Sequence, residues 1–312
     1  MSTKLTEKLI NTSARGYPII KLNAARIEVY QGNVVYSQKE ESFEKTYNIP
    51  YLNTAVLILG YGTSVSQKAA ILLAKAKTLV LFVDSSYNVH SMLMPEEGYL
   101  SNKYNQRLIE NLYVKNKRVD LAKKMLLKRL EFNEEYINNI EEIEGIYNSE
   151  IQSKIENYKQ KIVESETIEQ MLVFEGNIMK TYYREFNKSL GIEDNDQSKE
   201  IKRRTIIINY KCYALASVVL TSLGLSYSLN VIHGRTRQGS LKFDIADIIK
   251  GLSTPIAILS LIDQESRFYT PFNSNKETDN IFSKKVIQYF EEKDFLTKLF
   301  KLTIDTLEIN NA

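Results

Sequence analysis

The stretch AVLILGYGTSVSQKAAILLAKAKTLVLFVD, residues 55–84, decides the class of the fold. Its two ends, Ala55–Leu59 and Leu79–Asp84, are short, mostly branched or aliphatic runs of the kind that forms buried strands. Between them, apolar residues recur at helical spacing over Val65–Ala76. A strand, a glycine-rich turn, a helix and a second strand are therefore predicted in that order.

The glycine-rich turn is Gly60–Ser64, at the start of the predicted helix. It is shorter than a phosphate-binding P-loop, lacks the lysine of that loop, and does not match the dinucleotide-binding fingerprint. We interpret it as a turn that packs the helix on the sheet. His90 stands alone at the end of a predicted strand and is given no catalytic role.

The sequence pattern changes from strand-like to helical near Pro95 and Gly98. Upstream, Arg26–Tyr30 and Val34–Ser37 add two more predicted strands, separated by turn residues. Downstream, few glycines and prolines interrupt the chain, as long helices require. We therefore predict an α+β protein with a small N-terminal β-rich domain, residues 1–97, followed by a larger all-α C-terminal catalytic domain, residues 98–312.

Composition excludes several classes of protein. With 312 residues, 43% of them apolar, and a net charge of +3, the chain has an ordinary globular composition and is not intrinsically disordered. One cysteine and two histidines exclude a disulfide scaffold and a Cys/His zinc finger, and they indicate a reducing, cytoplasmic setting. The N-terminus has no apolar core of the signal-peptide type, so we do not expect secretion.

One uncharged segment, Cys212–Ile232, is long enough to span a membrane. It contains four serines, Thr221, Asn230 and a central Gly224, and basic residues flank it on both sides. A buried helix that ends at Gly224, followed by a short strand leading to His233, explains the segment better than a membrane span does.

Charge is distributed unevenly along the predicted helices. The block Lys103–Arg129 has nine basic and two acidic residues, whereas Glu131–Glu169 has eleven glutamates and three lysines. Two interpretations remain open. The blocks are either solvated helices whose opposite charges attract, or a basic stripe for nucleic acid with the acidic segment turned away from it.

Glu175 falls on the apolar face of a predicted helix, four residues after Met171. The face consists of Ile168, Met171, Leu172, Met179, Tyr182 and Phe186. A carboxylate in such surroundings is desolvated and has to be paired, protonated or bound to a metal ion. An ion pair with an arginine and a metal site are both consistent with this position.

A second segment, VIHGRTRQGSLKFDIADIIKGL at residues 231–252, carries His233, Asp244 and Asp247. The two aspartates are three residues apart on a predicted helix and so share one face. An aspartate in a first helical turn often serves only as a cap or dipole partner. Together with Glu175, however, one imidazole and two or three carboxylates form a mixed nitrogen and oxygen set that suits Mg²⁺ or Mn²⁺.

Basic residues surround this candidate metal site in the sequence. They are Lys202, Arg203, Arg204, Lys211, Arg235, Arg237, Lys242 and Lys250. Cations beside a metal–carboxylate site indicate a polyanionic substrate. The metal would polarise a phosphoryl oxygen and activate an attacking water or hydroxyl. The residues therefore predict a metal-dependent enzyme that acts on phosphodiesters.

Four motifs then occur in order along the chain. They are Asn48–Pro50 with Asn53–Thr54 and Leu59–Ser64; Glu175 with Tyr182–Tyr183; Asn209–Tyr210 with Tyr213–Ala216; and His233–Gly234 through Asp244–Lys250. This set resembles the CRISPR-associated integrase of spacer acquisition, which is the metal-dependent DNA endonuclease of the adaptation step. The last motif looks most like the type I-F branch. Tyr183 departs from the pattern, because many members carry tryptophan there.

The resemblance implies a β-rich N-terminal domain that dimerises and a helical C-terminal domain that holds the metal. Glu175, His233 and Asp247 would be metal ligands, and Asp244 would be a ligand or the direct partner of one; which aspartate is the primary ligand stays open. The candidate DNA-binding residues are Arg203, Arg204, Arg235, Arg237, Lys242 and Lys250.

The family joins the 3′-hydroxyl ends of captured DNA to the CRISPR repeat by transesterification, and it cuts branched or linear DNA. The resemblance thus implies double-stranded DNA, a second copy of the chain and a small second adaptation protein as partners. In the type I-F branch that protein is fused to the helicase-nuclease of interference. The acidic Glu131–Glu169 block matches no family motif.

Other functions remain as alternatives. A branched-DNA repair nuclease or a transposase would share the fold and the chemistry. A non-catalytic DNA-binding scaffold would use the basic Lys103–Arg129 helix and would have no need of Glu175 on an apolar face. A small-molecule metal hydrolase would have no need of the surrounding cations.

Overall fold

The computed structural model describes residues 19–40, 43–54, 56–84, 87–93, 101–138, 149–189, 196–233, 239–271 and 276–309. These described residues include eight strands: β1 Ile19–Leu22, β2 Arg26–Tyr30, β3 Asn33–Glu40, β4 Phe43–Asn48, β5 Val56–Leu59, β6 Ser64–Val65, β7 Leu79–Val83 and β8 Val89–Leu93. The α-helices are α1 Gln67–Lys75, α2 Ser101–Tyr113, α3 Lys115–Asn138, α4 Ser149–Glu164, α5 Ile168–Ser189, α6 Asp196–Leu223, α7 Ser240–Asp247, α8 Ser253–Ile262, α9 Lys276–Glu292 and α10 Phe295–Thr306. Short 3₁₀ turns cover Tyr51–Asn53 and Lys250–Leu252. An N-terminal β region followed by a helical C-terminal region confirms the predicted α+β class.

The chain divides into two compact units. The first comprises Met1–Lys103 with the short stretch Leu220–Leu225, and the second comprises Tyr104–Val219 and Ser226–Ala312. The predicted boundary between residues 97 and 98 lies outside the described residues and stays a prediction.

The first unit contains two four-stranded sheets. One sheet has the order β1-β5-β7-β8, with β1, β5 and β7 parallel and β8 antiparallel to β7. The other has the order β4-β3-β2-β6, in which β2–β3 and β3–β4 are antiparallel. Helix α1 follows β6 and buries Ala69 and Leu73. Ser66 caps it, since its side chain accepts a hydrogen bond from the backbone N–H of Ala69.

The strands predicted from branched and aliphatic runs are present within a residue or two, except that β3 extends to Glu40. Strands β1, β4 and β6 were not predicted, and for β8 only a strand end at His90 was predicted. The sequence of β4, FEKTYN, is largely polar, and four of the five residues of β8 are exposed. Both strands lie at sheet edges, where one-sided burial leaves little hydrophobic signal.

Among the described residues after 100, every regular element is helical, as predicted for all of this region except the short segment before His233. Helix α3 is central to the second unit, because it packs against α4, α5, α7, α10 and the Lys250–Leu252 turn. Its buried hydrophobic side chains are Leu121, Ala122, Met125, Leu126, Leu130, Phe132 and Tyr136.

Helix α6 ends at Leu223, and Gly224 follows it with a φ of 63°, so the predicted helix end is confirmed. By length and composition α6 is apolar enough to cross a membrane, and the bent pair Ser240–Asp247 plus Lys250–Ile262 passes the same test if counted as one span. In α6, 61% of the apolar window is buried within the structure, as in the core helix of a globular protein.

Candidate metal centre

Helix α5 places Glu175 on its inward face. Met171, one turn earlier, is fully buried, and Ile178 is 4% exposed. The Glu175 side chain is 15% exposed, and its Oε1 lies 2.5 Å from Nη1 of Arg129 on α3. The ion pair with an arginine, which the sequence left open, is therefore present. The side chains of Met179, Tyr182, Tyr183 and Phe186 lie outside the described residues.

Asp244 on α7 holds the segment that carries His233. Its side chain is fully buried, and its Oδ1 lies 2.5 Å from the ring Nδ1 of His233. The same carboxylate accepts hydrogen bonds from the backbone N–H groups of Val231, Ile232 and His233, at 2.9 to 3.2 Å. Both oxygens of Asp244 are therefore engaged in hydrogen bonds within the protein.

The predicted strand leading to His233 is wrong, since residues 225–232 form turns and irregular backbone. The physical reason is the Asp244 carboxylate, which takes the N–H groups that a neighbouring strand would otherwise bind. Arg118 adds a second restraint by donating from Nε to the carbonyl oxygen of Val231, at 3.2 Å.

Asp247, one turn after Asp244, turns its two oxygens to different neighbours. Oδ1 accepts a hydrogen bond from Nζ of Lys250 at 2.5 Å, whereas Oδ2 lies 3.9 Å from Nε2 of His233. Lys250 also lies over the ring of Tyr213, with 5.4 Å from Nζ to the ring centroid. The Asn209–Ala216 motif on α6 therefore packs beside the site.

Glu175, His233 and Asp247 converge, and one ligand atom from each lies within 4.8 Å of the other two. A small cavity of about 10 Å³, room for roughly one water-sized sphere, is lined by these residues together with Arg129 and Asp244. Donor atoms on opposite sides of Mg²⁺ are about 4 Å apart, because each metal–oxygen distance is about 2.0–2.1 Å. Two carboxylates and one imidazole at this spacing fit a divalent cation of the Mg²⁺ or Mn²⁺ type.

Asp244 contributes none of the three converging ligand atoms. Both of its oxygens are occupied by His233 and by the backbone of residues 231–233. Of the two roles that the sequence left open for Asp244, the geometry favours the partner that orients a ligand rather than the ligand itself.

The pKa of His233 is raised above its ordinary value of 6.5. The hydrogen bond to Asp244 is the main cause, and burial of the ring opposes it. The negative charges of Asp244, Asp247 and Glu175 act in the same direction as the hydrogen bond. A proton on His233 and a metal ion would thus compete for the same ring nitrogen.

Four of the six candidate DNA-binding residues lie in the described part of the chain, in different surroundings. Lys250 and Lys242 lie on or next to α7; Lys242 is partly buried, with Nζ 5.0 Å from the ring centroid of Phe243. Arg203 is bound to Glu200 and Asp279. Arg235 and Arg237 lie outside the described residues.

The prediction that Arg204 contacts DNA is wrong, because the residue is only 1% exposed. Its guanidinium donates to Glu200, to Ser260, to Thr270 and to the carbonyl oxygen of Pro271. These bonds satisfy the donors of a buried arginine and tie α6 to α8 and the loop after it.

Arg129 is the site residue that sequence reasoning missed. In the sequence, Arg129 was noted only as the last basic residue of the block Lys103–Arg129. It lies three residues after Leu126 and four after Met125, and both of these residues are buried. That spacing places Arg129 on the apolar face of its helix, and it is 5% exposed. A lone cation on an apolar face is the same signal that singled out Glu175.

Comparison with known proteins identifies the family of the chain. The family model described as CRISPR associated protein Cas1 matches residues 19–293. The CRISPR-associated endonuclease Cas1 of Pectobacterium atrosepticum is 29% identical over 285 residues, or 83% of this chain and 87% of that protein. The protein of the same name from Pseudomonas aeruginosa is 30% identical over 273 residues, or 79% of this chain and 83% of that protein.

Solved structures share the fold along almost the whole chain. The TtCas1–DNA complex has a TM-score of 0.70 at 17% identity, covering 95% of this chain and 98% of that one. A casposase bound to integration product has a TM-score of 0.67 at 14% identity, with 94% and 96% covered. A partial Cas6-RT-Cas1–Cas2 complex has a TM-score of 0.69 at 13% identity, with 94% and 95% covered. Because the family model matches most of the chain and solved structures share its fold, the chain belongs to the CRISPR-associated Cas1 family.

Proposed function

We propose that the chain is a metal-dependent DNA endonuclease and integrase of CRISPR adaptation, in which Glu175, His233 and Asp247 hold one Mg²⁺ or Mn²⁺ ion. The observation that carries the proposal is the convergence of these three side chains, from two helices and a loop, to within 4.8 Å. The curated relatives are named endonucleases, which supports the nuclease activity. The casposase bound to integration product supports the integrase activity.

When bound, such an ion polarises a phosphoryl oxygen and lowers the pKa of a bound water or hydroxyl. The residues of the chain prepare the site for it. In the neutral ring of His233, Asp244 keeps the proton on Nδ1, so that the lone pair of Nε2 is directed to the triad. Lys250 anchors Asp247 through Oδ1 and leaves Oδ2 on the side of His233.

Both proposed reactions break one phosphodiester bond and form one new P–O bond. In cleavage the attacking oxygen comes from water, and in integration it comes from the 3′-hydroxyl of the captured DNA. The charge that develops on the phosphoryl oxygens would be stabilised by cations beside the triad, and Lys250, which is bound to Asp247, is one of them.

We also propose double-stranded DNA, a second copy of this chain and the second adaptation protein as partners. The solved neighbours include a Cas1–DNA complex and a complex that contains Cas2, and these support the first and the last of the three. We assign the chain to the type I-F branch, on the motif from His233 to Lys250. In that branch the partner is fused to the helicase-nuclease, and we expect the assembly to work in the cytoplasm.

The proposal is tested by incubating purified protein with supercoiled plasmid and a 3′-hydroxyl donor duplex in Mn²⁺ or Mg²⁺. Wild type is compared with Glu175→Gln, and Glu169→Gln on the exposed face of the same helix serves as the matched control. We expect metal-dependent nicking and joining in wild type and in the control. We expect neither reaction in Glu175→Gln or in EDTA, with DNA affinity within a few-fold of wild type.

Full activity in EDTA, or in Glu175→Gln, would refute the metal mechanism. If the wild type binds DNA but neither cuts nor joins it, the assay is repeated with the second adaptation protein. Continued inactivity there would favour the non-catalytic scaffold.

A further inference from the structure

The guanidinium of Arg129 lies between two carboxylates of the triad. Its Nη1 is 2.5 Å from Oε1 of Glu175 and 3.9 Å from Oδ2 of Asp247. The Arg129 side chain is only 6% exposed, so solvent screens these contacts weakly. A cation in this position interacts with both carboxylates at once.

Arg129 and His233 lie near the same oxygen of Asp247. Oδ2 of Asp247 is 3.9 Å from Nη1 of Arg129 and also 3.9 Å from Nε2 of His233, whereas Oδ1 is bound to Lys250. The oxygen that faces the imidazole therefore faces the guanidinium as well. A divalent ion held by the triad would need the same region and the same negative charges.

The charges of the site support this competition. Glu175 and Asp247 carry two negative charges, and Arg129 and Lys250 carry two positive ones at 2.5 Å from them. A buried pair of carboxylates without counter-charge would be strongly destabilising. Adding a divalent ion while both basic residues keep their contacts would leave an excess of positive charge in a poorly solvated place.

We propose that Arg129 is the built-in counter-charge of the metal site: it holds Glu175 in place without metal and competes with the divalent ion for that carboxylate. The inference rests on the metal site of the proposed function. Arginine suits the task because its guanidinium is always protonated and has several donors in a fixed plane. Metal binding then requires Arg129 to give up its contact with Glu175, and the strength of that contact lowers the affinity for the ion.

The test is the dissociation constant of Mn²⁺, measured on metal-stripped full-length protein from the EPR signal of the free ion. Arg129→Gln removes the charge and keeps a hydrogen-bond donor. Lys128→Gln is the matched control, since it removes a positive charge one residue away on the same helix, where Lys128 binds the exposed Glu131. We expect Arg129→Gln to bind Mn²⁺ about ten-fold more tightly than wild type, which corresponds to about 1.4 kcal/mol.

The control variant should bind Mn²⁺ within about two-fold of wild type, because exposed pairs contribute little. Thermal unfolding gives a second readout. Without metal, Arg129→Gln should melt below both wild type and Lys128→Gln, and saturating Mn²⁺ should remove most of that deficit. A purely structural arginine would give the deficit but not the tighter metal binding.

The outcomes separate the two proposals. If wild type binds Mn²⁺ and Arg129→Gln binds it equally or more weakly, the role of Arg129 as a competitor is refuted and the metal site stands. If wild type binds no Mn²⁺, the proposed metal site itself fails, and the inference fails with it.

Arg129→Gln is a buried substitution, so a second measurement uses the wild-type chain. The Nε–H resonance of Arg129, assigned by its loss in Arg129→Lys, is followed by NMR during titration with diamagnetic Mg²⁺. We expect it to shift and to saturate together with the ion. A resonance that stays unchanged while Mg²⁺ binds would refute the inference without any loss-of-charge variant.

Discussion

His233 and Asp244 are joined twice: the ring Nδ1 lies 2.5 Å from Oδ1 of Asp244, and the backbone N–H of His233 donates to the same oxygen at 3.2 Å. The other oxygen accepts the N–H groups of Val231 and Ile232. One buried carboxylate therefore sets both the path of the backbone and the orientation of the ring. Because Nδ1 is engaged, Nε2 is the nitrogen left for the triad.

Asp244→Asn should weaken Mn²⁺ binding by about 10- to 100-fold, as is usual when the partner of a histidine ligand is lost. It should also lower the free energy of unfolding by about 1–3 kcal/mol, since an amide NH₂ would face backbone donors. Mn²⁺ titration and urea denaturation measure the two effects. Asp263→Asn is the control, because Asp263 caps a backbone N–H in an exposed turn. Unchanged Mn²⁺ affinity in Asp244→Asn would contradict the orienting role.

Protonated His233 should stabilise the metal-free protein at low pH. Its pKa is raised above 6.5, chiefly by the hydrogen bond to Asp244. A raised pKa in the folded state gives a stabilisation that is complete below the ordinary value and is lost as the pH rises through the raised one. The difference in unfolding free energy between wild type and His233→Gln should therefore be largest near pH 5 and should shrink at higher pH.

The measurement is urea denaturation in a metal-free buffer from pH 5 to pH 9. Over the same interval the Mn²⁺ affinity of wild type should increase, because the ion requires an unprotonated ring nitrogen. A stability difference that does not change with pH would show that the proton on His233 has no part in the fold.

Arg204→Met should lower the free energy of unfolding by about 3–5 kcal/mol, the usual cost of removing one partner from a buried charge network. Glu200 would lose one of its two arginines, and the acceptors on Ser260 and Thr270 would lose their donor. Lys199→Gln, an exposed cation on the same helix, should change the stability by less than about 1 kcal/mol.

DNA binding by the folded fraction of Arg204→Met, measured at low temperature, should keep the salt dependence of wild type. If the slope of log affinity against log salt became clearly less steep, Arg204 would be contacting a phosphate after all, as the sequence first indicated.

Gly251→Ala should destabilise the protein by about 1–3 kcal/mol through overpacking. A Cβ atom at residue 251 would lie 2.1–2.3 Å from the side-chain atoms of Asn133, which is buried. Gly176→Ala is the matched control, because nothing lies within 4 Å of its Cβ position in the middle of α5. Replacing a mid-helix glycine there should instead stabilise the protein by about 0.5–1 kcal/mol. Thermal unfolding of the two variants should thus shift in opposite directions.

Short-range patterns were enough to predict the elements that carry the site. The spacing of Met171 and Glu175, and of Asp244 and Asp247, placed each pair on one helix face, because helical geometry is the same wherever the helix packs. The glycine at residue 224 ended its helix as predicted. Edge strands β4 and β8, by contrast, gave little hydrophobic signal, and hydrogen bonds to the side chain of Asp244 took the place of the strand predicted before His233.

The sequence by itself determined the residue types of the site, its mixed imidazole and carboxylate chemistry, and the helical faces on which those residues lie. Only the tertiary structure decided their roles: that Asp244 orients His233, that Arg204 is buried among the helices, and that Arg129 meets Glu175 across 46 residues of chain. The physical reason is that periodicity depends on neighbours three or four residues away, whereas ion pairs and burial depend on which helices pack together.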